Sequence, residues 1–315
     1  MNRFVVHGVF WDGPAALGET ADGGSPAIAL QAQRDSSGAA LHAMALEPGT
    51  SLGFRVLPGQ KYCLGHVLVY SAIKREHVLC PDGAQAVRGY QCQRCFVADN
   101  ARLIHDFHRG GRVPPGLRDY LMAQHWLYVA TFANGDSKVG TASHPRKWNR
   151  LAEQGAVVAR YIARADDGRV VRLLEDMVTR DVGLAQQVRA VTKTAALTSP
   201  QPAGDLKRRN AASVRAAQAV LMTTAITGFD VVDETWVRPR QAAVLCAPGN
   251  RLRYPQPLDA GTHGFTVASL SGSQALVRVA GAEVDFVVDL GALKGRLVEL
   301  GNFTTEVPSL QEALF

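Results

Sequence analysis

The sequence is poor in cysteine and lacks long apolar runs, nucleotide-binding loops and internal repeats, and each shortage narrows what the chain can do. No stretch approaches the roughly 20 apolar residues of a membrane-spanning helix. Met1-Asn-Arg-Phe-Val-Val-His opens without the apolar region and cleavage site of a secretory signal. The expectation is a cytoplasmic protein with no membrane partner. Gly-x-Gly and Gly-x-x-x-x-Gly-Lys phosphate loops are missing, which argues against nucleotide-triphosphate chemistry. With 315 residues, 47% of them hydrophobic and 20% charged, the composition is that of a globular protein of two or three domains.

Cysteine is scarce but unevenly placed. Four of the five fall in the pattern Cys63-Leu-Gly65, Cys80-Pro-Asp-Gly83 and Cys92-Gln-Arg-Cys95. A Cys-x-x-Cys pair brings two thiolates to one metal, small or turn-forming residues after a cysteine leave backbone N–H groups free to bond sulfur, and Zn²⁺ takes four such ligands tetrahedrally. Structural zinc on Cys63, Cys80, Cys92 and Cys95 is the expectation, with His66 and His77 as reserve ligands. A redox pair and unligated thiols are the alternatives, although nothing before Cys92 reads as the strand of a βαβ redox unit. Disulfides do not suit a reducing compartment. Cys246, alone in a β-rich stretch, reads as a small buried hydrophobe.

Charge is also uneven. Residues 138–215 carry 15 Lys and Arg against 7 Asp and Glu, residues 1–137 carry 12 against 11, and residues 216–315 carry 7 against 10, within a formal net charge of +6. A basic block of this kind suits the phosphate backbone of DNA or RNA, and it equally describes a solvated arginine-rich surface.

The pattern predicts an α+β protein in five segments. Residues 1–61 form a β-rich N-terminal segment, 62–98 a four-cysteine module, 99–198 a helical bridge and a compact core, 199–233 a linker and long helix, and 234–315 a small C-terminal β domain. The linker is read at Ser199-Pro-Gln-Pro-Ala-Gly-Asp205, after a helix over Leu184–Thr198. Strands are expected at 241–247, 264–270, 275–279 and 284–288. His105 and His108, three apart on a predicted helix, are close enough to share a metal, but no glutamate accompanies them in a zincin-like pattern. Lys207-Arg208-Arg209 opens the long helix, as a solvated end or a nucleic-acid contact.

Residues 126–175 carry the strongest signal. Trp126-Leu-Tyr128-Val-Ala-Thr-Phe132 is a strand, Ala133-Asn134-Gly135-Asp136 a hairpin turn and Lys138-Val-Gly140-Thr-Ala142 the return strand. Gly140 on an inner strand implies that a backbone or ligand comes close. His144-Pro145 opens a helix bearing Arg150, residues 156–162 form a third strand, and Asp166-Asp167-Gly168 leads into a helix. On that helix Glu175 lies among Val171, Leu174, Met177 and Val178. A carboxylate at the margin of an apolar stripe needs a cation or metal beside it.

This order resembles the GIY-YIG endonuclease module, with Tyr128, Gly140, Arg150 and Glu175 at the matching positions and Lys138-Val139-Gly140 in place of its Tyr-Ile-Gly. The wider pattern over about residues 50–200, upstream cysteines included, resembles the bacterial family known as domain of unknown function 2797. The resemblance implies Glu175 as a ligand for Mg²⁺ or Mn²⁺, Arg150 as a phosphate clamp, Tyr128 as the group preparing a water, and Lys138, Arg146 and Lys147 as nucleic-acid contacts, that is, a metal-dependent endonuclease. The missing second tyrosine suits a binding protein without turnover, and a zinc-stabilised interaction scaffold is the third alternative. Each residue also has a plain role: Glu175 paired with Arg172, Arg150 a surface cation, Tyr128 a core aromatic.

Overall fold

A computed structural model describes residues 2–11, 25–33, 41–107 and 111–307. Along the chain, strands β1 (Arg3–Trp11), β2 (Pro26–Ala32), β3 (Leu41–Ala45) and β4 (Ser51–Val56) precede a small hairpin, β5 (His66–Val69) and β6 (Arg75–Val78). Three short helices follow, α1 (Gln93–Ala98), α2 (Ile104–Phe107) and α3 (Pro115–Leu121). Then come β7 (His125–Thr131), β8 (Ser137–Ser143), α4 (Lys147–Gln154), β9 (Val158–Ala165), α5 (Gly168–Val182), α6 (Ala190–Thr198) and α7 (Ala203–Thr223). The chain closes with β10 (Phe229–Thr235), β11 (Arg251–Arg253), β12 (Gly261–Ser271), β13 (Gln274–Arg278), β14 (Asp285–Asp289) and β15 (Leu297–Leu300). The α+β class and the multi-stranded sheet agree with the sequence. Among the described residues no helix is long and apolar enough to cross a membrane.

The two ends of the chain, expected as separate β segments, share one sheet. Its order among the described residues is β11-β14-β13-β12-β4-β15-β1-β2-β3. β4 pairs with β12 on one side and β15 on the other, and β15 also pairs with β1. The physical reason is edge protection: a short meander of three or four strands leaves unpaired N–H and C=O groups at its borders, and interleaving the two ends satisfies both. The stretch expected as a strand at 241–247 is instead a 3₁₀ turn, Arg240–Ala242, followed by further turns. The buried guanidinium of Arg251 fixes it, donating from Nη1 to the Leu245 carbonyl at 2.6 Å and from Nη2 to the Ala247 carbonyl.

A second sheet, β10-β9-β7-β8, is antiparallel throughout. Every residue of β7 is buried, because both faces are covered. Tyr128, Ala130, Phe132 and Tyr161 join the core shared with the large sheet, whereas Leu127, Val129 and Ile162 pack on Val171, Leu174 and Val178 of α5 and on Val214, Ala217 and Leu221 of α7. α5 starts where Asp167 caps it, Oδ1 accepting from the N–H groups of Arg169 and Val170 at 2.8 Å, and ends at left-handed Gly183.

Two stretches run differently from the sequence expectation. The proline-rich stretch at 199–202 is pinned to the β7–β8 turn, with Gln201 N–H donating to the Ala133 carbonyl at 2.8 Å and Gln201 Nε2 to the Asn134 carbonyl at 2.7 Å. It connects elements of one unit rather than separating domains, since α7 and β10 both belong to the second sheet's layer. The helix expected from Leu184 begins only at Ala190; before it, Ala185 runs parallel to Lys138 and its carbonyl accepts from Val139 N–H at 3.0 Å. That segment covers part of β8, the last strand of this sheet.

Candidate functional site

Gly140 explains how the second sheet builds a site. Tyr128 and Gly140 face each other across β7 and β8, and a Cβ on Gly140 would stand 2.5 Å from the Tyr128 hydroxyl. What comes close at this glycine is therefore a side chain: the Tyr128 ring lies across β8 and sends its hydroxyl towards the sheet's edge. The hydroxyl donates to Gln154 Oε1 on α4 at 3.1 Å. Tyr128 is fully buried, and burial raises its phenol above the ordinary value despite the opposing pull of Arg150 and Gln154. At this position the protonated hydroxyl is a hydrogen-bond donor.

Around that hydroxyl stand Arg150 from α4, Glu175 from α5, Lys138 from β8 and Lys193 from α6. Arg150 and Glu175 both act on the Tyr128 hydroxyl electrostatically. Glu175 is buried, and burial pushes its carboxyl up while Arg172, Lys138 and Arg150 pull it down. Its direct partner is Arg172, one helical turn earlier. Lys138 is buried with its Nζ 5.7 Å from the Tyr128 ring centre and donating to the Gln186 carbonyl at 3.3 Å. Lys193 donates to the Gln154 carbonyl at 2.8 Å, its Nζ 4.5 Å from the centre of the Phe132 ring. Burial, followed by the repulsion of Arg150, lowers both lysines to about 8.

This group lies beside a cleft of about 430 Å³ lined by Arg75, Arg146, Arg150, Arg172, Tyr120 and His125, with Thr141, Ala142 and Ser143 of β8 also in its wall. Arg146 pairs with Glu153 and Arg172 with Glu175; Arg75 and Arg150 make no ion pair among the described residues. Positive charge is therefore in excess in and under the cleft. Lys147 does not take part. Its Nζ sits 3.3 Å from the Trp126 ring centre and 4.5 Å from that of Tyr161, is paired with Glu234 at 2.5 Å, and lines a different cavity with Trp148 and Trp236. Of the three cations expected to touch nucleic acid, Arg146 lines the cleft, Lys138 lies beneath it and Lys147 is engaged elsewhere.

As a site for Mg²⁺ or Mn²⁺, Glu175 supplies one carboxylate. Its helix neighbour Asp176 is exposed and accepts from Gln186 Nε2 at 2.9 Å. Mg²⁺ can be held by one or two protein carboxylates when water and phosphate oxygens complete the octahedron; Glu175 is buried and taken up by Arg172, which would have to yield the carboxylate.

The four cysteines converge. The Sγ atoms of Cys63, Cys80, Cys92 and Cys95 all lie within 4.8 Å of one another, all four residues are buried and none is disulfide-bonded. Zinc–sulfur bonds of about 2.3 Å put tetrahedral sulfurs about 3.8 Å apart, so a small contraction closes the cluster. Gly65 N–H lies 3.4 Å from Cys63 Sγ, and Cys95 N–H 3.5 Å from Cys92 Sγ. Burial and neighbouring thiols push Cys95 strongly up, and burial raises Cys63. Burial acts the same way on Cys92, but the Cys95 N–H and the surrounding thiols outweigh it and bring that sulfur below the ordinary value. A cluster with one favoured thiolate and protonated neighbours is compatible with a zinc site that releases protons as it fills. The reserve ligands are not in the cluster: His77 Nε2 contacts the Leu64 carbonyl at 2.5 Å. His108 and the side chain of His105 lie outside the described residues.

Arg75, Lys193 and Gln154 were not singled out from sequence. Arg75 is one residue of a four-residue strand and Lys193 one of a short helix, so neither carries a periodic or motif signal. No family model matches the chain, and neither a curated protein nor a solved structure matches it.

Proposed function

We propose that this is a zinc-containing nucleic-acid-binding protein whose GIY-YIG-like unit, β7 to α5, clamps a phosphodiester in the arginine cleft. The observation that carries it is the charge imbalance. Arg150 has no carboxylate partner among the described residues, and the two lysines behind it are held near 8 by burial and by Arg150 itself. A phosphate oxygen entering there would relieve that repulsion and accept from a guanidinium, the geometry arginine provides best. Zinc on the four cysteines supplies the closed structural site that the spacing and the sulfur cluster support.

The test is fluorescence anisotropy of labelled DNA and RNA with two double variants. Arg146→Ala, Arg150→Ala should weaken binding about a hundredfold, the loss of two phosphate contacts. Arg208→Ala, Arg209→Ala on the exposed end of α7 removes equal charge and should change it little. Equal losses from both would reduce the cleft to general surface charge.

A hydrolytic role is favoured by one further observation, the convergence of Tyr128, Arg150 and Glu175. Glu175 would hold Mg²⁺ or Mn²⁺, which when bound polarises a phosphate oxygen and lowers the proton affinity of a bound water. Arg150 would neutralise developing phosphate charge, and the Tyr128 hydroxyl would donate to an oxygen by giving up its bond to Gln154. Arg172, freed from Glu175, is the further cation within reach. Product formation from labelled DNA or RNA with Mn²⁺, abolished by Glu175→Gln while binding persists, is the expected result; no product under any divalent cation leaves binding as the function.

A further inference from the structure

We infer that Arg75, carried to the cleft by the hairpin of the cysteine module, makes a phosphate contact there. This rests on the cleft reading above.

The hairpin β5–β6 joins cluster to cleft. Its open end is held by the cluster on both sides: Cys63 lies two residues before Gly65, and Cys80 two residues after Val78, the residue paired with His66. Gly65 keeps a φ of 90°, and any Cβ there would run into the Val78 carbonyl, so the chain leaves the cluster through a fixed, side-chain-free corner. Four residues further on, about 13 Å along an extended strand, Arg75 pairs with Val69 beside the turn.

That far end is docked. Val69 packs with Leu117, Tyr120 and Leu121 of α3, and Gly116 lets the α3 backbone press on Val69 and Tyr70. The Arg75 guanidinium lies 5.5 Å from the centre of the Tyr120 ring, and the Tyr120 hydroxyl donates to Ser143 Oγ on β8 at 2.7 Å. Arg75 is thereby seated in the cleft wall near Arg146; burial is the first influence lowering its pKa, and Arg146 is the repelling charge. Arg75 is half-buried with no ion pair among the described residues, and it faces Arg146, whose charge Glu153 offsets in part; an anion between the two guanidiniums would stabilise this arrangement.

The experiment uses full-length zinc-loaded protein and a fluorescein-labelled oligonucleotide at several salt concentrations. Gln and Glu are of equal size, so Arg75→Gln and Arg75→Glu separate charge from packing. Arg75→Gln should weaken binding about tenfold and reduce the salt slope by about one, and Arg75→Glu should weaken it further, with zinc content unchanged. Arg94→Ala, an exposed arginine of the same module held by Asp82 and absent from the cleft, should leave both quantities as they are. If Gln and Glu bind alike with an unaltered slope while Arg150→Ala weakens binding, the Arg75 contact is wrong and the cleft stands. If Arg150→Ala is also without effect, the cleft reading itself falls.

Discussion

The sulfur cluster and the arginine cleft are opposite cases of an unfinished charge arrangement. In the cluster, four buried sulfurs crowd together with burial opposing the ionised form, and a cation is what lets all of them deprotonate. In the cleft, four arginines, with two depressed lysines behind them, face two carboxylates, Glu153 and Glu175, and an anion would strengthen the lysines' hold on their protons. The first is buried; the second opens to solvent on one side. Their difference is in burial and access as much as in sign.

The largest expected effect breaks the cluster. Four-ligand structural zinc sites have apparent binding energies of about 10–16 kcal/mol, so Cys92→Ser, Cys95→Ser should lose the metal and the folded module together. Elemental analysis and a melting curve check this; a variant that keeps its melting temperature would leave the cluster as packed thiols.

Next in size is the glycine across which the Tyr128 ring lies. Gly140→Ala puts a methyl into the ring, and overpacking of this kind costs about 1–3 kcal/mol. Urea denaturation should show that loss, and binding should weaken because Tyr128 and its Gln154 contact move. Ala at Val139, on the opposite face of the strand, should lose stability without loss of binding at folded concentrations. Equal effects on binding would detach Tyr128 from the site.

The smallest effect is on pH. Lys138 and Lys193 fall from 10.5 to about 8 in the folded chain, first through burial and then through Arg150, with Glu175 opposing at Lys138 and Asp289 at Lys193. Between about 8 and 10.5 the unfolded chain holds more protons, so the stability of the free protein rises with pH in that window. Phosphate favours the charged lysines, so affinity should move the other way and fall severalfold as pH rises through about 8. A flat affinity profile in wild type, matching that of Lys138→Met, Lys193→Met, would separate these lysines from the ligand.

The two regions were also unequally legible. Cys63, Cys80, Cys92 and Cys95 are recognisable because sulfur ligands advertise themselves by type and close spacing, and the core elements because Tyr128, the Gly135 turn and the α5 stripe follow period and turn rules. Glu175 stood out as a carboxylate among apolar neighbours, and it is buried. Arg75 and Lys193 were invisible: an arginine's role depends on which wall the tertiary fold puts it in, and α6 and the β5–β6 hairpin reach the cleft only through docking contacts far apart in sequence. The surroundings of Lys147 were hidden for the same reason: an aromatic box and Glu234 engage a charge that the sequence leaves free. The shared sheet of the two chain ends was hidden because strand pairing over more than two hundred residues leaves no local trace.

The salt dependence of oligonucleotide binding is the most direct measure of the cleft. Each phosphate contact contributes a slope of about −0.9 in log affinity against log salt, and the cleft presents Arg75, Arg146, Arg150 and Arg172. The account predicts a slope of about −3 to −4 for wild type on duplex DNA, shallower by about one for each of Arg75→Gln and Arg150→Ala. A wild-type slope near zero, or one unchanged by these substitutions, would contradict it.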